Sequence, residues 1–555
     1  MDIKRTWWKE AVVYQIYPRS FKDSDGDGIG DLKGIISKLD YLESLGIDVI
    51  WLNPVYKSPN RDNGYDISDY RNIMSEFGTM EDFDVLLESL HKRNIKLVMD
   101  LVVNHCSDEH FWFQEAKKSR DNSYRDYFHW VPAEKGKPNK RWSFFDPNAD
   151  AWKYDENTNA YYLHYFSEAQ PDLNWENPRL RKEIYDMMHF WFKKGIDGFR
   201  MDVITFISKD TSFPELPDEF KNKPWDYFYA SGPKLHEYLQ EMNREVLSHY
   251  DVMTVAEAPG TTPENILDLV GEDRKELNMA YHFDLHYLGL SERRTLSPEG
   301  WALSEFKEIF TKWDTKLKDK GWGTVYLGNH DQPRMVTRWG NDSDAFRELS
   351  SKMLTTFLLS MRGTPYYYQG DELGMTNIKF DTIDRYRDIE TINWYELTKN
   401  EGGNLTSFLE DHKTTARDNG RTPMQWSAEE NGGFTEGTPW LEVNKNYKVI
   451  NAESQETNPN SPLNYFRKMV QLRKNELALV YGDYAIIDAD NSNVYAYKRS
   501  FEGTELLVML NFKEFDDEVE CDIDFQSATV LISNYVNGES NGVLRPYEAK
   551  ILKIS

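Results

Sequence analysis

The sequence is poor in cysteine and contains no long apolar run. Among 555 residues there are two cysteines, Cys106 and Cys521, so no framework of several disulfides can support the fold, and a reducing compartment is indicated. No apolar stretch approaches the roughly 20 residues of a membrane helix. Residues Met1–Glu10 carry charges and lack the apolar core of a signal peptide. We therefore predict a cytoplasmic protein with no membrane partner.

Basic residues are also few relative to acidic ones. The chain has 66 Lys and Arg against 93 Asp and Glu, a formal net charge of -27. A surface this acidic repels phosphate backbones and anionic lipids, so we expect no nucleic-acid partner and no binding at a membrane surface. A neutral substrate would be indifferent to this charge. Aromatic residues reach 14%, and their flat rings suit sugar faces as well as protein cores.

The first two-thirds of the chain alternates short apolar runs with amphipathic helical patterns. Asn177 and Pro178, for example, are typical of the cap and first position of a helix, and Gly195 of its end. Repeated β-α order implies parallel strands, and eight of them can close into a (β/α)₈ barrel. The predicted strands are Val12–Phe21, Asp48–Val55, Ile95–Val103, Gly198–Ile204, Met253–Ala258, Met279–Leu285, Thr324–Gly328 and Thr364–Gln369.

Two regions interrupt or follow this alternation. Residues 105–175 are long, aromatic and irregular, which indicates a small inserted domain after the third strand. Near the C-terminus the pattern changes to short alternating strands, typical of an antiparallel β-sandwich. We predict a barrel formed by residues 1–104 and 176–475, the inserted domain at 105–175, and the β-sandwich at 476–555.

Four acidic residues lie in or just after the carboxyl-terminal parts of four different predicted strands. They are Asp100, Asp202, Glu257 and Asp331. In a barrel of this kind the carboxyl ends of all strands lie on one face, where the reacting groups sit. A single such acid is explained equally well by an ordinary salt bridge. Four of them, with Arg200 and with His330 nearby, favour a catalytic site.

Paired carboxyl groups are what glycoside hydrolysis requires, one ionised and one protonated. Arg200 lies two residues before Asp202, so both side chains should point to one face of the strand, and the cation should keep Asp202 ionised as a nucleophile. Glu257 has apolar sequence neighbours, which favour the protonated form of a general acid. Asp331 is then free to bind sugar hydroxyls.

Four segments around these acids resemble the characteristic segments of glycoside hydrolase family 13, the α-amylase family. They are Asp100–His105, Gly198–Val203, Glu257–Ala258 and Asn329–Asp331, in matching order and spacing. The resemblance covers essentially the whole chain. It implies a retaining mechanism through a covalent β-glucosyl enzyme, a catalytic barrel, a small domain after the third strand and a C-terminal β-domain.

Within that family the sequence most resembles oligo-1,6-glucosidases. The segment Gln170–Asn174 resembles the one that separates this group from amylases, and Val203 resembles the residue found in members that prefer α-1,6 bonds. One methyl group in a pocket discriminates between substrates by about 1–3 kcal/mol. We therefore expect an exo-acting α-glucosidase on small neutral α-1,6-linked substrates such as isomaltose.

The same resemblance assigns further residues to glucose binding. Asp62 and Tyr65 resemble residues that hold the terminal glucose, and Arg417 resembles their partner across the pocket. An Asp62–Arg417 pair across the pocket would close its end and make the attack exo. His105 and His330 are implied as donors to glucose hydroxyls, whereas Phe166 is implied to pack on the ring.

The segment Asp23–Asp31 places oxygen ligands at alternate positions, as hard cations prefer. It resembles the opening of an EF-hand loop, but its twelfth position is Gly34 instead of Glu, so a calcium sensor is rejected. Glucosidases of the family carry a structural calcium in this loop. An ordinary solvated Asp/Gly turn is the alternative. The predicted calcium ligands are Asp23, Asp25, Asp27, Ile29 and Asp31.

Three functions stay open at this point, and none needs an organic cofactor. The first is the α-1,6-preferring α-glucosidase. The second is a sucrose-active relative, a hydrolase or an isomerase. Isomerases carry an arginine-rich loop, whereas this chain has Asp384–Asp388, which better fits the hydrolase pattern although Arg385 is retained. The third is an inactive sugar-binding or transporter-associated relative. We expect a monomer or weak homo-oligomer.

Overall fold

The computed structural model describes residues 5–145, 150–218, 226–291, 296–297 and 300–554. Eight parallel strands form one sheet. When they are numbered along the chain, their order in the sheet is 6-5-4-3-2-1-8-7, so the sixth and seventh strands lie at its two edges. A parallel bridge between Ala280 and Gly323 joins these two edges, so the sheet closes into a barrel. The barrel strands are Val13–Ile16, Val49–Leu52, Lys96–Val102, Gly198–Asp202, Met253–Glu257, Met279–Tyr281, Thr324–Val325 and Thr364–Tyr368.

Each predicted barrel strand lies at its predicted place, and the structural strands are shorter at their ends. The burial of the third and fourth strands explains their nearly continuous apolar sequences, since all five residues of Gly198–Asp202 are buried. Strand register places Arg200 beside Asp100 and Asp202 beside Val102. The adjacent fifth strand pairs Val255 with Arg200. The acids of three neighbouring strands thereby meet at the carboxyl end of the barrel.

Helices surround the barrel, and their ends follow from local sequence. In the helix Pro178–Lys194, the Asn177 side chain accepts a hydrogen bond from the Arg179 N–H, and Gly195 ends the helix with a φ of 112°. Both ends were predicted. The α-helices of the described residues are Trp7–Glu10, Leu32–Ser37, Leu39–Ser44, Met80–Lys92, Phe111–Ala116, Pro178–Lys194, Asp226–Tyr229, Leu235–Glu245, Ile266–Val270, Asp284–Tyr287, Leu303–Leu317, Met335–Trp339, Arg347–Ser360, Ile389–Asn400, Leu405–Thr415, Asp418–Arg421, Ala452–Glu456, Pro462–Asn475 and Leu477–Tyr481.

Two small sheets extend from the catalytic end of the barrel. Tyr56–Lys57 pairs with Asp69–Ile73 after the second barrel strand, and the connection between them carries Asp62 and Tyr65. The region after the third barrel strand contains a three-stranded antiparallel sheet, whose central strand is Ala160–Leu163. Its other strands are Trp130–Pro132 and Trp152–Asp155.

The C-terminal part is antiparallel β-structure, as predicted. A five-stranded sheet faces a second, two-stranded sheet, and apolar residues including Val494, Val519 and Leu544 form a common cluster. Arg499 fixes it to the barrel region by donating to the carbonyl of Ser360 at the end of the helix Arg347–Ser360. The strands are Asp483–Ile487, Val494–Phe501, Thr504–Asn511, Asp517–Glu518, Thr529–Ser533, Val543–Leu544 and Ala549–Lys553.

The predicted fold class is therefore confirmed, namely a (β/α)₈ barrel with an inserted region after the third strand and a C-terminal antiparallel β-structure. The domain boundaries at 105–175 and 476–555 stay predictions. Within the described parts of the chain, every helix is too short or too polar to cross a bilayer.

Candidate active site

A pocket of about 1070 Å³ opens at the carboxyl ends of the barrel strands. Ten of the predicted catalytic and substrate residues line it, while Gln170 and His330 lie directly behind its wall. The lining residues are Trp51, Asp62, Tyr65, His105, Phe144, Phe145, Phe166, Arg200, Asp202, Val203, Phe206, Asp226, Glu257, Pro259, Tyr281, Phe283, His286, Tyr287, Tyr326, Asn329, Asp331, Gln332, Glu390, Arg417 and Arg421.

Arg200 is the centre of the pocket floor and is only 2% exposed. Its Nη1 lies 2.6 Å from Asp100 Oδ1 and 2.7 Å from Asp202 Oδ1, whereas its Nη2 lies 2.6 Å from Glu257 Oε1. The Trp51 indole donates to the other oxygen of Asp100 over 2.8 Å. One rigid guanidinium thus holds three carboxyl groups, which lysine could not do with a single ammonium.

The expected ionisation states need a correction. Arg200 does contact Asp202, but burial outweighs the arginine and raises the pKa of Asp202 to about 7. Burial likewise raises the pKa of Asp100 to about 6 and of Glu257 to about 8. The predicted order, Glu257 more readily protonated than Asp202, is retained. Burial raises the pKa of both Asp202 and Glu257, whereas the sequence had suggested a charged environment for Asp202 and an apolar one for Glu257.

The surroundings of the Glu257 carboxyl group are more polar than its neighbours in the sequence suggested. Besides Arg200 on Oε1, its Oε2 accepts a hydrogen bond of 3.0 Å from the backbone N–H of Val203. The apolar environment predicted for this carboxyl is therefore wrong. Residues adjacent in a strand point to opposite faces, so the chain neighbours of Glu257 describe the wrong side of the sheet.

Asp331 differs from the floor acids because two arginines face it. Its Oδ1 lies 3.1 Å from Arg417 Nη1 and 2.8 Å from Arg421 Nη2. Burial opposes its ionisation, yet His330, Arg417 and Arg421 hold the pKa of Asp331 well below its usual value. Arg421 was not predicted, although its spacing of four residues from Arg417 would have placed both on one face of a helical turn.

His330 lies behind the pocket and is buried. Its Nδ1 is 2.9 Å from the amide nitrogen of Gln15, so Nε2 carries the proton, and Nε2 lies 2.7 Å from the Tyr65 hydroxyl and 3.2 Å from Asp331. Burial lowers the pKa of His330 to about 3, which keeps it neutral. Its Nε2–H thus faces protein groups here, and its donation to a sugar hydroxyl stays a prediction.

The predicted pair of Asp62 and Arg417 across the pocket has no direct contact between the two side chains. Asp62 accepts a 2.9 Å hydrogen bond from Gln170, whereas Arg417 contacts Asp388 at 2.5 Å and Glu390 at 3.4 Å. The two side chains interact across the pocket through their charges, because Arg417 opposes the burial that raises the pKa of Asp62 to about 7. Both still line the same end of the pocket.

Gln170 and His105 support the same end. Gln170 Nε2 lies 3.2 Å from His105 Nε2. Burial lowers the pKa of His105 to about 3, so the ring is neutral at pH 7. The ring of Phe166 lies 5.0 Å from that of His105 and stacks on Phe144 at 5.2 Å. Phe166 thus lies in an aromatic wall, as its predicted packing on a sugar ring requires.

Sequence reasoning missed most of the opposite wall. Phe283, His286 and Tyr287 line the pocket from the segment after the sixth barrel strand. The Tyr287 hydroxyl donates to Asp226 over 2.6 Å, and Gln332 contacts His286. These residues follow no repeat or spacing that marks a site, although an aromatic cluster after a barrel strand could have drawn attention.

The acidic loop after the first barrel strand contains a candidate cation site. Carboxylate oxygens of Asp23, Asp25 and Asp27 lie within 4.8 Å of one another. Asp31 instead caps the helix Leu32–Ser37, accepting from the Gly34 N–H over 2.7 Å and from the Ser24 hydroxyl over 2.8 Å. The structure thus brings together three of the four predicted carboxylates, and Ile29 donates its N–H to Asp27.

Comparisons with known proteins agree with the fold. The model of the alpha-amylase catalytic domain matches residues 15–482. The chain therefore belongs to the α-amylase family, glycoside hydrolase family 13, and the predicted resemblance is confirmed.

Individual members of the family that are similar to this chain are glucosidases and a sucrose-binding synthase. The chain is 53% identical to an oligo-1,6-glucosidase of Parageobacillus thermoglucosidasius and 52% identical to one of Bacillus cereus, with all of both chains covered in each case. Among solved structures, a mutant of isomaltulose synthase from Erwinia rhapontici NX5 in complex with sucrose superposes with a TM-score of 0.95 at 45% identity, again over both whole chains.

Proposed function

We propose that the protein is a retaining, exo-acting α-glucosidase that prefers α-1,6 bonds, such as those of isomaltose and isomalto-oligosaccharides. The single observation that carries this proposal is Arg200, which bridges Asp202 and Glu257 on the pocket floor. Retaining enzymes need carboxyl groups about 5–5.5 Å apart, whereas inverting enzymes need roughly 6.5–9.5 Å to admit a water molecule. One guanidinium in contact with both groups favours the closer spacing.

In the first step the Asp202 carboxylate attacks the anomeric carbon of the terminal glucose. The bond from that carbon to the glycosidic oxygen breaks, and Glu257 gives its proton to this oxygen, so the rest of the substrate leaves as an alcohol. In the second step Glu257 takes a proton from water. The resulting hydroxide attacks the anomeric carbon and releases Asp202, with glucose in its original configuration.

The remaining pocket residues hold the glucose. Asp331 stays ionised because of Arg417 and Arg421, so it accepts hydrogen bonds from sugar hydroxyls. We assign the same task to Asp62, and to His105 the donation of a hydrogen bond to a glucose hydroxyl, at the end of the pocket that they line. Both roles support attack on terminal residues only. Because Val203 lines the pocket, we assign the preference for α-1,6 bonds in part to its side chain.

A sucrose-active enzyme is the second candidate, because sucrose isomerases are among the similar solved structures. In the isomerases the resemblance places an arginine-rich loop at the substrate entrance. Here Arg385 pairs with Glu442 through contacts of 2.8 and 2.6 Å, and Arg387 donates to the Asp384 and Tyr386 carbonyls. Both arginines lie outside the residues that line the pocket, which favours hydrolysis.

Product analysis decides between these functions. The protein is incubated separately with isomaltose, maltose and sucrose, and the products are identified by chromatography. Fast release of glucose from isomaltose and slow release from maltose would support the proposal. Rapid conversion of sucrose to another disaccharide with little free glucose would replace it with the isomerase. Tight sugar binding without turnover of any α-glucoside would indicate the inactive sugar-binding relative.

We propose further that the acidic loop binds one structural calcium ion. Asp23, Asp25 and Asp27 present converging oxygens, and the described residues provide no lysine, arginine or histidine within ion-pair distance of the three. Burial together with repulsion from Asp25 and Asp23 raises the pKa of Asp27. A hard cation would relieve this repulsion. The ion would stabilise the loop and take no part in the chemistry.

Metal analysis of the purified protein tests the calcium proposal. We expect about one calcium per chain and a melting temperature that falls on chelation and returns when calcium is added. Asp25→Asn should weaken this response, whereas Asp40→Asn, an exposed acid on a nearby helix, should leave it unchanged. Absence of calcium together with an unchanged melting temperature on chelation would refute the site.

A further inference from the structure

Val203 has an unusual backbone conformation directly after the proposed nucleophile. Its φ is 33° and its ψ is 42°, in the left-handed region. Glycine adopts this region freely, whereas a β-branched residue there is strained. Such strain persists only where the surroundings impose it, and it occurs most often at functional sites. The sequence assigned Val203 a role through its side chain alone.

The surroundings of Val203 impose this conformation from two sides. The Val203 carbonyl accepts the N–H of Phe206 over 2.9 Å and so starts the short 3₁₀ turn Ile204–Phe206. Its side chain is buried in an aromatic cluster with Phe206, Tyr165 and Tyr229. The chain turns sharply at the end of the strand, and the left-handed residue leaves the Val203 N–H directed at Glu257.

This N–H and Arg200 hold the two oxygens of Glu257 separately. The N–H lies 3.0 Å from Oε2, and Arg200 Nη2 lies 2.6 Å from Oε1. Two donors on different oxygens fix the plane of the carboxyl group as well as its position. Arg200 also contacts Asp100 and Asp202. The Val203 N–H, in contrast, donates to Glu257 alone among these acids.

We propose that the left-handed peptide at Val203 is a positioning element for the proton donor, in which its N–H holds Oε2 and thereby orients Glu257 toward the pocket. This inference rests on the proposed role of Glu257 as general acid/base. It predicts that loss of the N–H harms the cleavage of bonds that need a proton donor. Bonds with a good leaving group should be cleaved almost as before, because their leaving oxygen needs no proton.

Loss of the same hydrogen bond should also move the titration of Glu257. The N–H favours the ionised carboxylate, so its removal should raise the pKa of Glu257 further. The other charges that act on Glu257 come from Arg200 and Asp202 on the fourth barrel strand and from Asp331 after the seventh. Asp100 and Tyr326 also interact with it electrostatically. All of these stay in place when only the N–H is removed.

The test replaces the Val203 amide by an ester in the full-length protein, using α-hydroxyisovalerate at position 203 by nonsense suppression. This change keeps the valine side chain and removes the backbone N–H that donates the hydrogen bond to Glu257. We expect kcat for isomaltose to fall about 10- to 100-fold, whereas kcat for p-nitrophenyl α-glucoside falls less than about threefold. The basic limb of the kcat/KM profile should move up by roughly one pH unit.

The matched control is the same amide-to-ester change, with the same hydroxy acid, at Val536, an exposed valine of the C-terminal β-structure whose N–H donates no hydrogen bond to the described residues. It should leave the ratio of the two rates and the basic limb as in the unmodified protein. Equal losses on both substrates at position 203, with an unmoved limb, would overturn the proposal and leave Val203 a merely structural role.

A second measurement needs no ester and covers the case in which that variant does not fold. In protein labelled with ¹⁵N-valine, the Val203 amide resonance should titrate together with the basic limb. In Glu257→Gln it should lose this titration. A Val203 resonance that does not respond to pH would overturn the inference.

The Glu257→Gln variant also separates this inference from the proposed function. If the variant loses isomaltose hydrolysis but still forms the glycosyl enzyme from p-nitrophenyl α-glucoside, Glu257 is the acid and only the role of Val203 is in question. If it hydrolyses isomaltose normally, the assignment of Glu257 fails and the inference fails with it.

Discussion

The floor of the pocket and the wall after the sixth barrel strand differ in how they are built. The floor consists of Asp100, Arg200, Asp202 and Glu257 on three adjacent strands, joined by contacts of 2.6–2.7 Å around one guanidinium. The wall consists of Phe283, His286 and Tyr287 on one short segment, with Asp226 and Gln332 from others. Strand register fixes the floor, whereas the wall depends on how loops pack.

This difference separates the chemistry from the choice of substrate. Charged groups on rigid strands keep the geometry that bond cleavage requires, and the barrel imposes that geometry. Loops can change without disturbing the barrel, so they can set which leaving group is accepted. Substitutions in the floor should therefore affect every substrate, and substitutions in the wall should affect substrates unequally.

Asp202→Asn should have the greatest effect. Without a nucleophile, hydrolysis of isomaltose and of p-nitrophenyl α-glucoside should both fall on the order of 10⁴-fold or more. Initial rates on the two substrates measure this. Asp210→Asn is the control, since Asp210 is exposed a few residues further along the chain, and it should retain full activity. A large residual rate on either substrate would contradict the assignment of Asp202.

Arg417→Lys should have an intermediate effect. The guanidinium contacts Asp388 and Asp331 at once, and a lysine ammonium cannot reach both with the same geometry. We expect kcat/KM for isomaltose to fall about 10- to 100-fold. Arg385→Lys, which affects the half-exposed pair with Glu442 and the contact with the Phe380 ring, both outside the pocket lining, should change kcat/KM by less than about twofold. Similar losses in the two variants would contradict this role of Arg417.

Phe283→Ala should distinguish the wall from the floor. We expect kcat/KM for isomaltose to fall about tenfold, whereas that for α-glucosyl fluoride stays within about twofold, because fluoride does not reach the wall. Phe111→Ala removes a ring that is 56% exposed elsewhere on the molecule and should change neither value. If the fluoride reaction falls as much as the isomaltose reaction, the wall takes part in the chemistry.

The smallest effect is on stability, and it depends on pH. The folded state raises the pKa of Asp202 from 3.8 to about 7, so the folded protein binds this proton more tightly than the unfolded chain. The resulting stabilisation is complete below about pH 4 and is lost as the pH rises toward 7, with a ceiling of about 4 kcal/mol. Asp202→Asn should therefore raise the melting temperature by a few degrees at pH 8 and by less at pH 5. A melting temperature of Asp202→Asn below that of the unmodified protein at pH 8 would contradict the predicted direction of this effect.

The sequence predicts the floor well because the relevant information is local. Asp202 and Glu257 end strands whose apolar sequences are evident, and alternation along a strand places Arg200 on the same face as Asp202. The ionisation states were beyond reach, because burial of the carboxyl groups depends on the closed barrel. The contact of Val203 with Glu257 also needs the relation between two strands, which a linear pattern does not contain.

Long-range packing explains the other errors. Arg417 was expected to pair with Asp62 across the pocket, but its direct contacts are with Asp388 and Glu390, which lie at the start of a separate helix. Tyr287 meets Asp226, which lies 61 positions earlier in the sequence. In the acidic loop, alternate spacing suggested that Asp31 joins the other carboxylates, whereas helix capping competes for it. Each partner depends on the tertiary fold.

The central claim is that Asp202 forms the covalent bond to glucose while Glu257 provides the proton. The most direct measurement is trapping with 5-fluoro-α-glucosyl fluoride, followed by proteolysis and mass spectrometry to locate the labelled residue. We predict one sugar per chain, attached to Asp202, and no label in Asp202→Asn. A label on Glu257 or Asp331, or turnover with no trapped sugar, would contradict the claim.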